Sequence, residues 1–154
     1  MLSDKSRARI QDLMGQFPQK RTALIGALYI VQEELGYVPE PAMAEVGELF
    51  DLSPAEIKEV VTFYTMFYRT PVGRHVLQVC TNISCMLCQG EDILEYLKSR
   101  LGIAVGQTTP DGRFTLLEVE CIGACEAAPA LQDNFDFHMN MTREKVDQLL
   151  EALR

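Results

Sequence analysis

Five cysteines fall between positions 80 and 125 of a 154-residue chain, and none precedes them. Four form two short pairs. Cys80-Thr-Asn-Ile-Ser-Cys85 is C-x4-C, Cys121-Ile-Gly-Ala-Cys125 is C-x3-C, and Cys88 follows the first pair. In a reducing compartment such clustering points to metal or redox chemistry rather than a disulfide framework. Four thiolates are the usual complement of a 2Fe–2S cluster. A buried cluster of that kind carries net negative charge, so the loops that present it must aim backbone N–H groups at the sulfurs. Gly123 lets the second loop turn tightly.

The same residues admit three other readings. Four cysteines with short spacings within each pair also make a structural zinc pattern, and hence a zinc-stabilised interaction module. Cys85-Met-Leu-Cys88 is a C-x-x-C near a β-α unit, the signature of a dithiol oxidoreductase, but it leaves Cys80, Cys121 and Cys125 unemployed. Cys80-x4-Cys85-x2-Cys88 with Cys121 reproduces a plant-ferredoxin spacing and orphans Cys125. One cysteine is spare in any four-ligand scheme, and the close Cys121–Cys125 pairing points to Cys88 as a small buried hydrophobe. His75 and His138 lie on expected strands without a visible partner, which assigns them structural roles. Asp133 and Asp136 read as a solvated turn. Phe63, Tyr64, Phe67 and Tyr68 have the spacing of a helical core stripe. No G-x-G-x-x-G follows a strand and no P-loop occurs, so a nucleotide is expected to bind elsewhere. Neither is there an arrangement suited to hydrolysis, so no catalytic residue is assigned.

These loops need elements to hold them. His75–Cys80 reads as an apolar strand running into the first pair, and Phe114–Glu120 as one delivering Cys121. Between them the stripe Ile93, Leu94, Leu97, Leu101 predicts a helix over 90–101, with Glu91 and Asp92 at its start and Lys98 and Arg100 at its end, both favourable to its dipole. Gly102 ends it, and Thr109-Pro-Asp-Gly112 is a turn. Short strands near 130–132 and 135–139 follow, then a helix capped by Thr142 with Val146, Leu149, Leu150 and Leu153 inward. The β-α-β-β-α order suits a small sheet with helices packed on it.

Upstream, the first seventy residues read as short helices. Leu24, Leu28, Val31 and Leu35 share one stripe that Gly36 closes. Another helix starts near Pro41 with Met43, Val46, Leu49 and Phe50 inward. Ser53-Pro54-Ala55-Glu56 combines an N-cap, proline in the first turn and a capping-box glutamate, and Ile57, Val60, Val61 and Tyr64 follow on one face. Proline and glycine within Arg69–Arg74 break the pattern, giving a helical segment 1–70 and an α/β domain 74–154. The class is α+β.

Composition fits a globular chain, 47% hydrophobic and 23% charged. A net charge of −8 argues against nucleic-acid binding, which needs clustered Lys and Arg. No apolar run is long enough to cross a bilayer, and the first residues lack an apolar signal stretch, so a cytoplasmic location is expected.

Val79-Cys-Thr-Asn-Ile-Ser-Cys-Met-Leu87, Gly106-Gln-Thr-Thr-Pro-Asp-Gly112 and Val119-Glu-Cys-Ile-Gly-Ala-Cys-Glu-Ala-Ala-Pro129 together resemble one family closely: the E-type, thioredoxin-like 2Fe–2S subunit of NADH:quinone oxidoreductase, respiratory complex I. Phe17-Pro-Gln-Lys-Arg-Thr-Ala-Leu24, Gly36-Tyr-Val-Pro39 and Val61-Thr-Phe-Tyr64 extend the resemblance through the helical part. The module is also similar to subunits of NAD-linked hydrogenases and formate dehydrogenases. The resemblance implies a helical N-terminal bundle and a thioredoxin-like domain holding one 2Fe–2S cluster through Cys80, Cys85, Cys121 and Cys125. It also implies an F-type partner subunit that binds FMN and NADH, other peripheral-arm subunits, and a place on the inner face of the cell membrane through the complex. Cys88 is not required by the family pattern. Leu131-Gln-Asp-Asn-Phe-Asp-Phe-His138 is more acidic and aromatic than the family's usual strand–turn–strand.

Overall fold

The computed structural model describes residues 2–153. The chain divides into two compact units, one ending at Pro71 and the other beginning at Val72.

The first unit is helical. α1 (Asp4–Gly15) is capped by Ser3, whose side chain accepts from the Ser6 N–H. α2 (Leu24–Leu35) buries Leu24, Leu28 and Val31 as its stripe requires, and Gly36 closes it at φ +78°, a left-handed conformation that glycine adopts without strain. α3 (Glu40–Phe50) buries Met43, Val46 and Phe50, with Leu49 half-buried. α4 (Pro54–Phe63) starts on the expected capping box with both reciprocal bonds present. Of the aromatic quartet only Phe67 enters the core; Tyr64 and Tyr68 are half-buried and Phe63 is exposed.

The second unit is a four-stranded mixed sheet in the order β2-β1-β3-β4, formed by β1 (His75–Cys80), β2 (Phe114–Val119), β3 (Leu131–Asp133) and β4 (Asp136–His138). β1 and β2 run parallel with His75 opposite Phe114 and Cys80 opposite Val119. β3 is antiparallel to both β1 and β4. A parallel pair needs a crossover, and here it contains a short helix α5 (Ile83–Leu87) and the longer α6 (Gly90–Leu101). α6 buries Ile93, Leu94 and Leu97 against Leu77, Val79 and Leu116 of the sheet. α7 (Arg143–Ala152), capped by Thr142, adds Val146 to the same core.

Three local differences separate sequence expectation from fold. The last two strands sit at 131–133 and 136–138, with Asn134 in the tight turn at φ +52°. Asp133, expected in a solvated turn, is buried because the turn begins one residue later and β3 carries it beside His75. α5, inside what reads as a cysteine loop, is an additional helix.

Candidate metal centre

Because β1 and β2 are parallel, both cysteine loops leave the sheet at the same end. Cys80 is the last residue of β1, 3% exposed, and its N–H donates to the Ala130 carbonyl at 3.2 Å. The chain then turns into α5, where the Asn82 side chain accepts the Ile83 N–H at 2.7 Å. That cap aims Cys85, 2% exposed, back toward Cys80, and both pack in an apolar pocket with Ala124, Ala130, Ile122 and Ala128. The second loop follows Glu120. Gly123 adopts φ +77°, and its N–H donates to Cys121 Sγ at 3.3 Å. Cys125 opens a single 3-10 turn, Cys125–Ala127, before the cis Ala128–Pro129 peptide.

The structure therefore brings Cys80 and Cys125 each within electrostatic reach of Cys85. Cys121 stands exposed at the mouth of the second loop. Among the described residues, no three Cys, His, Asp or Glu side chains converge closely enough to hold a single metal ion. Burial pushes the Cys85 thiol up to about 11; the Ala130 backbone opposes that shift, and Cys80 and Cys125 add to it. Crowded, buried thiols of this kind ionise only beside positive charge, which a bound metal centre supplies. A backbone donor is also in place, the Gly123 N–H on Cys121 Sγ; the Cys80 thiol donates instead to the Glu120 carbonyl at 3.7 Å. The four-thiol donor set, its apolar floor and the Gly123 N–H fit an iron–sulfur group.

Cys88 lies apart. It caps α5, with its N–H shared by the Ser84 and Cys85 carbonyls at 3.1 Å. Its side chain lines a shallow cleft with Gln89, Asp92, Thr142 and Arg143 at the start of α7. It is exposed, not buried as expected. His75 has the partner that sequence did not reveal: Nδ1 lies 2.9 Å from Asp133 Oδ2. That pair sits at the opposite end of β1 from Cys80. His138 lines a groove between β4 and α7 with Phe137, Met139 and Lys145.

A small mixed sheet flanked by helices, with paired cysteines at the ends of neighbouring strands, defines an α+β protein with a thioredoxin-like thiol domain. The thioredoxin-like [2Fe-2S] ferredoxin family matches residues 10–154, and the chain belongs to that family. It is 45% identical over 148 residues to an E-type NADH-quinone oxidoreductase subunit of Rhizobium meliloti (strain 1021), covering 96% of this chain and 88% of that protein. It is 41% identical over 152 residues to the E-type NADH-quinone oxidoreductase subunit of Pseudomonas aeruginosa, covering 99% and 92%. Among solved structures it resembles an NAD+-reducing [NiFe]-hydrogenase in the air-oxidized state, with TM-score 0.75 and 26% identity over 85% of this chain. The match spans 22% of that hydrogenase chain.

Proposed function

We propose that this protein is the electron-transfer subunit of an NADH:quinone oxidoreductase, holding one 2Fe–2S cluster through Cys80, Cys85, Cys121 and Cys125. The observation that carries the reading is the parallel β1–β2 pair, which delivers the two cysteine pairs to one end of the sheet. Bound there, the cluster accepts and releases single electrons. Cys80 and Cys85 form the buried side of the cage; Cys121 and Cys125 form the side open to solvent. Gly123 N–H offsets negative charge at the Cys121 sulfur, and the alanines beneath Cys80 and Cys85 keep water from the inner face.

On this reading residues 1–70 form a helical annex and 74–154 the cluster domain. FMN and NADH bind to an F-type partner subunit, and the complex holds this chain at the inner face of the cell membrane. None of the helices among the described residues is long and apolar enough to cross a membrane. The hydrogenase likeness favours a second host, an NAD-linked hydrogenase. The relatives with higher identity over nearly their whole length favour the quinone reductase.

The test is EPR of anaerobically purified, dithionite-reduced protein, with iron and sulfide assayed on the same sample. An S = 1/2 signal with two irons and two sulfides per chain is expected. Cys125→Ser is expected to lose the signal and Cys88→Ser to keep it. A silent spectrum with zinc in place of iron overturns the reading, and the reverse cysteine result overturns the ligand set.

A further inference from the structure

Cys88 is the one cysteine that the proposed cage does not employ, and it stands at the surface. It lies three residues from Cys85, and a hydrogen bond ties the two together: the Cys88 N–H donates to the Cys85 carbonyl at 3.1 Å. Residues so related on a helical turn have Cα atoms about 5 Å apart, within the span of a disulfide. The chain beyond Cys88 folds back onto the thiol site. A Cβ on Gly90 would stand 2.8 Å from the Cys85 carbonyl oxygen and 2.9 Å from that of Cys80. α5 itself has five residues, too few for a helix to hold by its own hydrogen bonds, so its last turn can open and reclose.

Exposure chooses between the partners available to Cys85. Cys80 is its neighbour in the apolar pocket, but both are buried, and no oxidant reaches either sulfur directly. Cys88 is reachable. Its side chain lines a cleft of about 380 Å³ with Asp92 and Arg143, and the Arg143 guanidinium is held over the Tyr96 ring at 5.4 Å. A guanidinium and a carboxylate sharing a cleft with an exposed thiol suit a small zwitterionic peptide disulfide of the glutathione type.

We propose that Cys85 and Cys88 form a reversible disulfide in the cluster-free chain, which withdraws Cys85 from the cage until a thiol reductant restores it. The inference rests on the electron-transfer reading above, which makes Cys85 a ligand. Cys88 Sγ attacks one sulfur of the small disulfide; the S–S bond breaks, and the departing peptide thiol takes up the proton that Cys88 loses. Cys85 Sγ then attacks the Cys88 sulfur and expels the second peptide thiol, which takes up the Cys85 proton. Two protein thiols are oxidised by two electrons while one small disulfide is reduced to two thiols, and excess small thiol runs both steps backward. A chain that has lost its cluster thus keeps Cys85 on the reversible part of the oxidation ladder.

The test treats the cluster-free full chain with oxidised glutathione, blocks the remaining thiols with iodoacetamide and maps the bond. No Lys or Arg lies from 75 to 97, so trypsin leaves Cys80, Cys85 and Cys88 in one peptide, which cyanogen bromide cuts after Met86. The two halves are expected to stay joined in the wild type and in Cys80→Ser, and to separate in Cys88→Ser. A second arm offers each chain a 2Fe–2S-loaded scaffold protein with no free thiol or sulfide present. The oxidised wild type is expected to accept cluster at least about tenfold less well than its reduced form, a ligand being worth more than a supporting hydrogen bond. Cys88→Ser, given the same oxidant, is expected to accept as much as the reduced wild type. A bond that joins Cys80 to Cys85, a bond made only through Cys121 or Cys125, or glutathione left standing on Cys88 overturns the proposal. Equal uptake by the oxidised and reduced wild type does so too. A Cys85–Cys88 bond in a chain that accepts no cluster even when reduced counts instead against the electron-transfer reading and leaves the dithiol pair standing.

Discussion

Asp133 is an acid among leucines and valines, and what keeps it there is one ring. His75 Nδ1 lies 2.9 Å from Oδ2 and 3.2 Å from Oδ1, while Arg74 Nε reaches His75 Nε2 at 3.3 Å. An arginine N–H can only donate, so Nε2 accepts and Nδ1–H donates to the carboxylate. Phe114 flanks the ring at 5.6 Å. His75→Leu preserves the packing but removes that donor from a nearly buried carboxylate. It is expected to cost about 1–3 kcal/mol, read as a shift in the urea midpoint. Asp133→Asn, which keeps a polar partner for the ring, is expected to cost less. Neither residue announces this pairing in sequence, because 58 positions separate them and only the β1–β3 register joins them. The cysteines were legible for the opposite reason: each pair is local, and each follows directly on an apolar run.

At the scale of elements, the helices whose ends carry their own chemistry were the readable ones. Ser53 Oγ accepts the Glu56 N–H at 3.3 Å and Glu56 Oε2 accepts the Ser53 N–H at 3.0 Å, so the start of α4 is written within four residues. Ser53→Ala is expected to lower stability by about 1 kcal/mol, measured by thermal unfolding, with Ser53→Gly costing less. α6 likewise shows its stripe, its charges and its Gly102 cap. α5 has only five residues and no stripe, so nothing but the Asn82 cap marks it. β3 and β4 have three residues each, too few for an alternation to declare a face. Their limits come from pairing with β1, which no local pattern contains. That is why the expected strands near 130–132 and 135–139 reappear at 131–133 and 136–138.

Across the molecule, the acidic composition is compensated by specific partners. In the helical unit, Arg9 holds the Glu33 carboxyl below the usual carboxylate range, and Ser6 and Ser3 do so for Glu34. Lys58 does the same for Glu40, and the Ser53 backbone and hydroxyl for Glu56. In the sheet unit, Thr109 and the Arg113 N–H lower Asp111, and a backbone N–H with Thr142 lowers Glu144. Each of these groups is more acidic folded than unfolded. The stabilisation is therefore complete above the unfolded carboxylate value and is lost as pH falls through the folded values. Thermal unfolding temperature is expected to hold steady near neutrality and to drop from about pH 5 downward, with Glu40→Gln and Glu56→Gln each reducing the drop. These carboxylates are exposed except Glu56, which is half-buried, so added salt is expected to diminish the contributions of the ion-paired ones.

The parallel register of β1 and β2 also decides when metal can be acquired. Cys80 faces Val119, so Cys121 emerges two residues beyond its level. A slip of one residue would displace the second loop by about 3.3 Å and turn its side chains to the other face. The two halves of the proposed cage lie on distant stretches of chain and meet only after the sheet closes correctly. Iron loading then works as an inspection step: chains with a misaligned sheet stay colourless, and the brown fraction of a fresh preparation counts those that passed.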